Sequence, residues 1–169
     1  PAGKIIETRI TDDKYDDELK LAFDFDGVLA DDEAEKIYKK TKNLSKFHQS
    51  ESKLSLIPHN PGPLQDLFKK ISYFQKLENK QIKKDNNYKK TLKIAIVTAR
   101  NAPAHERMIN TLKSWGVSVD EAFFLGGIEK KRILEIMKPH MFFDDQTVHF
   151  KDIDRIPLVH VPFGIGKNT

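Results

Sequence analysis

The sequence predicts an α/β fold: a parallel sheet with helices on both faces. Three observations carry that prediction. Short apolar runs at residues 21–25, 92–97, 121–125, 141–143 and 158–161 have the length and composition of buried strands. Segments with apolar residues at helical spacing stand between most of them, and that alternation implies parallel strands joined by right-handed crossovers. Several of the runs stop at polar residues, Asp24 and Asp26, Thr98, and Asp144 and Asp145. In an open sheet, ligands bind beyond the carboxyl ends of the strands.

In chain order, Ile5, Ile6 and Ile10 alternate weakly before the polar residues Thr11, Asp12, Asp13, Asp16, Asp17 and Glu18, which predicts a short edge strand and a turn. The strand at 21–25 ends at Asp26-Gly27, where glycine permits a tight turn. Residues 28–64 cannot form one helix, because Pro58, Pro61 and Pro63 interrupt it. Residues 32–42 read as helical. The stretch that follows mixes Phe47, His48, Leu54, Leu56, Ile57 and His59 with polar residues. Such an insertion forms either a lid or a surface loop with one helix.

Leu64, Leu67, Phe68, Ile71, Phe74 and Leu77 recur at helical spacing after Pro63, predicting a core-facing helix over 63–77. Residues 78–93 are rich in lysine and asparagine with Tyr88 as their only aromatic, which reads as a solvated loop rather than a nucleic-acid contact. Met108, Ile109, Leu112 and Trp115 mark a helix after Pro103 that Gly116 closes. The cycle repeats with the strand at 121–125, a turn at Gly126-Gly127 and a helix over 130–138. Pro162 stops the last strand.

The chain has 169 residues and 38% hydrophobic content, enough for one core, so 1–169 reads as a single domain with residues 30–64 as a small cap. It contains no cysteine, which excludes disulfides, thiolate metal sites and cysteine nucleophiles. Twenty-nine basic residues against 25 acidic ones give a net charge of +4, favouring an anionic ligand. No apolar run approaches the roughly 20 residues of a membrane span, and the N-terminus lacks an apolar signal core. The expectation is a cytoplasmic protein without a membrane partner, with homo-oligomerisation left open.

Four carboxylates at one sheet edge repel one another strongly, and a cation relieves that repulsion. Oxygen ligands without cysteine select a hard ion, Mg²⁺. A carboxylate there can attack phosphorus, and a second one two residues on can protonate the leaving alkoxide and then activate water. Thr98 and the amides of the following turn can hold phosphate oxygens while a lysine neutralises charge. His105, His140, His149 and His160 are scattered and read as structural.

These residues also carry a resemblance. Asp24-Phe25-Asp26-Gly27-Val28 resembles the first motif of the haloacid dehalogenase-like (HAD) superfamily, Thr98 the second, a lysine opening the helix at residue 130 the third, and Asp144-Asp145 the fourth. More closely, Val97-Thr98-Ala99-Arg100, Leu112-Lys113-Ser114-Trp115-Gly116, residues 120–125, residues 139–146 and His160-Val161-Pro162-Phe163-Gly164 are similar to the cytosolic 5'-nucleotidase type I family. The resemblance implies a HAD-like Rossmannoid sheet with a cap after its first catalytic strand. It also implies a Mg²⁺-dependent phosphatase acting on nucleoside 5'-monophosphates. By position, Asp24 is the nucleophile and a metal ligand, and Asp26 is the acid-base with its backbone carbonyl on the metal. Thr98 and the amides of Ala99 and Arg100 bind phosphate, with Lys130 preferred over Lys131 as the lysine. Asp145 is the favoured metal ligand, with Asp144 orienting water or the lysine. Phe47 and Glu51 keep family-like spacing in the cap and are candidates for stacking on a base and accepting from base or ribose.

Two other readings fit the sequence less closely. One is a HAD phosphatase of a different small phosphorylated metabolite. The other is a nucleic-acid-binding or end-processing protein using the lysine-rich stretch.

Overall fold

The structure, a computed structural model, describes residues 3–6 and 14–164. Its sheet contains β1 (Lys4–Ile6), β2 (Leu19–Phe23), β3 (Leu92–Thr98), β4 (Glu121–Phe124), β5 (Met141–Asp144) and β6 (Leu158–His160). They lie in the order β1-β6-β5-β2-β3-β4. The pairs β6-β5, β5-β2, β2-β3 and β3-β4 are parallel, and β1 runs antiparallel along the β6 edge. The helices are α1 (Glu33–Thr41), α2 (Leu44–Lys53), α3 (Gln65–Ile82), α4 (His105–Ser114) and α5 (Lys130–Met137), with a 3-10 turn at Thr147–Phe150.

Alternation along the strands divides the core between two faces. Phe23, Ile94 and Ile96 pack with Phe68 of α3 and with Met108 and Leu112 of α4. Ala22, Val97, Phe142 and Leu158 pack with Leu134 of α5 and with Phe150. The central strand β2 is thus covered on both faces, and helices lie on both sides as predicted. The expected edge strand is β1, while Ile10, Thr11, Asp12 and Asp13 lie outside the described residues.

The strand expected at 21–25 sits two residues earlier than the sequence suggested. Asp24 N still donates to Phe143 O at 2.8 Å, extending the ladder. Phe25 N then turns onto Asp24 Oδ1, also at 2.8 Å, and the strand ends.

The helix expected over 63–77 runs instead from Gln65 to Ile82, taking five residues from the stretch read as loop. Glutamate, lysine and glutamine are good helix formers, so nothing stops the helix at residue 77. Its buried side also differs from the apolar stripe: Ser72 and Gln75 are buried, while Phe74 is 60% exposed. Ser72 bonds Ser118, and Gln75 bonds Ser118 and Asp120, so a polar seam replaces part of the expected apolar contact.

Residues 30–64 hold two helices, α1 and α2, joined to the sheet through a paired neck. Gly62 N donates to Leu29 O at 2.8 Å, Leu64 N to Val28 O at 2.9 Å, and Asp31 N to Asn60 O at 3.0 Å. A side chain on Gly62 would collide with the Ala30 carbonyl, so the neck requires glycine there.

Candidate active site

The carboxyl ends of the adjacent strands β5, β2 and β3 deliver Asp144, Asp24 and Thr98 to one edge of the sheet. The Asp24 Oδ2 atom lies 2.9 Å from the Lys130 Nζ, and the Asp144 Oδ2 lies 2.7 Å from it. Lys130 is buried at the start of α5, whereas Lys131 is half-buried and pairs with Glu135 at 3.7 Å. Lys130, and not Lys131, therefore reaches the carboxylates. Burial opposes its charge, but Asp144 and Asp24 outweigh that cost and push its pKa up to about 12.

Asp145 is fully buried, and neither of its carboxylate oxygens has a hydrogen-bond partner among the described residues. Burial, and then the charges of Asp24 and Asp144, push its pKa up to about 9. A buried carboxylate left this way is costly unless something neutralises it. Gly27 belongs to the same arrangement. It takes φ +73°, and a Cβ there would stand 2.5 Å from the Asp145 carboxyl group. Only glycine lets the chain turn at that distance.

Asp24 is raised to about 6, chiefly by burial. Asp144 is lowered, because Lys130 and His149 together outweigh the effect of its burial. Donor atoms of Asp24, Asp144 and His149 lie within 4.8 Å of one another. The Asp144 Oδ2 is already engaged by Lys130 and by His149 Nδ1, the latter at 2.8 Å. The unpartnered Asp145, together with Asp24, whose Oδ2 also meets Lys130, offers oxygen donors that fit a hard cation.

Thr98 is buried at the end of β3, and its Oγ1 accepts from Arg100 N at 3.2 Å. The Arg100 amide must leave that hydroxyl to reach a phosphate. Ala99 is exposed beside it.

Asp26 stands apart from this group. Its two oxygens accept from Arg100 Nε and Nη2, each at 2.7 Å. The guanidinium is buried and also contacts Glu51 of α2. Glu51 is not open to a substrate: its second oxygen accepts from Arg107 Nη1 at 2.9 Å, and His59 Nε2 lies 3.3 Å from the first. Burial alone would raise Glu51, but His59 and Arg100 hold it at about 2. Phe47 is half-buried, with the Arg100 guanidinium 5.9 Å from its ring centre.

Sequence reasoning missed the side chains of Arg100 and Arg107, and also His59, His149 and Glu35. His149, read as structural, bonds Asp144. Glu35 receives Gln146 Nε2 at 2.9 Å, and burial pushes its pKa up. The legible signal was for Arg107 alone, a charged residue immediately before the apolar stripe of α4.

The family model described as 5'-nucleotidase matches residues 1–168. The chain belongs to the 5'-nucleotidase family. A human protein named cytosolic 5'-nucleotidase 1B is 36% identical over 153 residues, 90% of this chain and 24% of that protein. The chain therefore spans about a quarter of the length of that relative. No solved structure matches. Among the described residues, no helix is long and apolar enough to cross a membrane.

Proposed function

We propose that this chain is a phosphomonoesterase that hydrolyses nucleoside 5'-monophosphates to nucleoside and phosphate through an aspartyl phosphate on Asp24, with Mg²⁺ held by Asp24, Asp145 and the Asp26 carbonyl. The observation that carries this reading is the unpartnered, buried Asp145 carboxylate beside Asp24 and Lys130. Family membership supports the reaction class, and the printed name of the human relative supports the substrate.

When bound, the cation would screen the carboxylates from one another and withdraw charge from the phosphoryl oxygens. Asp24 attacks phosphorus as the bond from phosphorus to the nucleoside O5' breaks, and protonated Asp26 gives its proton to O5'. Asp26 is then a carboxylate and takes a proton from the water that attacks the phosphorus of the aspartyl phosphate. That step regenerates Asp24 and releases phosphate. Lys130 neutralises charge on the transferring group, and Thr98 with the Ala99 and Arg100 amides holds its oxygens. Residues 30–64, with Phe47 facing Arg100, form the cap over this site.

Phosphate release from a panel of nucleoside monophosphates and sugar phosphates, with and without Mg²⁺, tests the proposal. Mg²⁺-dependent release favouring nucleotides is expected. A preference for sugar phosphates would overturn the substrate assignment, and binding of oligonucleotides without phosphate release would overturn the reaction.

A further inference from the structure

The Arg100 guanidinium has five N–H donors, and each of its three nitrogens meets a protein partner. Nε and Nη2 take the two Asp26 oxygens, Nη2 also lies 3.0 Å from His59 Nε2, and Nη1 serves both Glu51 and the Ala104 carbonyl, the latter at 3.0 Å. The group lies 5.3 Å from the centre of the Phe25 ring and is almost wholly buried. An arginine that bound substrate phosphate would keep donors free and directed at the pocket. This one has at least four of its donors taken by Asp26, Glu51 and the Ala104 carbonyl.

Its partners come from separate parts of the chain. Asp26 follows β2, Glu51 belongs to α2 of the inserted segment, His59 lies on the returning neck and Ala104 precedes α4. Glu51 is fixed in turn by Arg107 of α4, whose Nε donates to Ile57 O at 2.9 Å. The fork of one guanidinium thus sets the orientation of the Asp26 carboxylate, and the inserted segment sets the guanidinium.

We propose that Arg100 is a positioning residue for the Asp26 proton shuttle, locked by Glu51 so that the inserted segment and the proton-transfer carboxylate share one set of contacts. The inference rests on the phosphatase reading above. Both Asp26 oxygens lie 2.7 Å from guanidinium nitrogens, which fixes the plane of the carboxyl group.

The test uses two leaving groups. A nucleoside alkoxide needs protonation as it departs, whereas nitrophenolate does not. In Arg100→Lys, which keeps the charge and loses the fork, single-turnover nucleoside release is expected to slow by about 10²- to 10³-fold with KM changed less than about threefold. The first-turnover burst of nitrophenolate from p-nitrophenyl phosphate is expected to keep its wild-type rate. Glu51→Gln should show the same pattern, slowing nucleoside release by roughly tenfold and leaving the nitrophenolate burst unchanged, and it serves if Arg100→Lys misfolds. Adding Arg100→Lys to Asp26→Asn should slow nucleoside release no further.

A raised KM with unchanged kcat would make Arg100 a substrate ligand and overturn the proposal. Equal slowing with both leaving groups, or additivity with Asp26→Asn, would also overturn it. A wild-type chain active on nitrophenyl phosphate and on an alkyl phosphate other than a nucleotide sinks only the substrate assignment, and the Arg100 comparison is then read on that alkyl phosphate. A wild-type chain inactive on every phosphomonoester overturns both.

Discussion

Asp24 and Asp26 are separated by a single residue and sit in opposite electrostatic surroundings. Around Asp24, three buried carboxylates, those of Asp24, Asp144 and Asp145, face one ammonium, that of Lys130. Around Asp26, the carboxylates of Asp26 and Glu51 face the guanidiniums of Arg100 and Arg107. In the second group every buried carboxylate meets a guanidinium, while the first leaves Asp145 unpartnered. On the proposed reading the first group receives the cation and the second holds the Asp26 side chain still.

The largest expected effect is on the Asp24 side. Asp24→Asn should reduce phosphate release by at least about 10⁴-fold, measured with a nucleoside monophosphate in excess Mg²⁺. Asp26→Asn, which removes the proton carrier and one of the two oxygens that accept from Arg100, should cost about 10²- to 10⁴-fold. Near-normal turnover in Asp24→Asn would reverse the assignment of the two groups.

Next comes the missing charge itself. Asp145→Asn should stabilise the metal-free chain by about 1–3 kcal/mol in denaturant titration, because the substitution removes a poorly compensated ionisable group. The same variant should lose the rise in melting temperature that Mg²⁺ gives the wild type. Destabilisation in the metal-free state would mean that Asp145 has an internal partner after all.

The two groups should also respond oppositely to pH. Folded, metal-free Asp145 keeps a proton up to about 9, whereas its unfolded carboxyl loses it near 3.8. Its contribution to stability is therefore full below about pH 4 and falls as pH rises toward 9. Mg²⁺ binding displaces that proton, so Mg²⁺ affinity should rise across the same interval. Glu51 has the reverse sign. Its folded pKa of about 2 lies below its ordinary value of 4.5, so its contribution is full above pH 4.5 and is lost as pH falls toward 2. That loss is about 3 kcal/mol, and Glu51→Gln should remove this acid-side dependence from urea titrations.

The smallest effect separates the neighbouring lysines. Lys131→Ala should change stability by no more than about 0.5 kcal/mol and leave turnover unaltered. Lys130→Ala should lower turnover by about 10²-fold or more.

Much of this site was legible because strand-end chemistry is local. Asp24, Thr98, Asp144 and Asp145 each follow an apolar run, and β-sheet geometry brings such ends together. What could not be read was contact across distance. Arg100 and Glu51 are 49 positions apart, and Arg107 and Glu51 are 56 apart, so no spacing rule links them. The helix α3 misled for a different reason: periodicity reports which residues share a face, and the face chosen here was partly the polar one that meets Ser118 and Asp120. At the far end of the sheet, Leu19, Leu21, Ile71, Phe74 and Leu77 line an open apolar groove of about 530 Å³, remote from the carboxylates.

The most direct test is to trap the reaction in its middle. Acid-quenching the chain during turnover of a nucleoside monophosphate with Mg²⁺, followed by mass spectrometry of its peptides, should find one phosphoryl group on Asp24. Asp26→Asn should retain the label longer after substrate is exhausted. A chain that turns over substrate without phosphorylating Asp24, or that carries the label on another residue, would contradict the account.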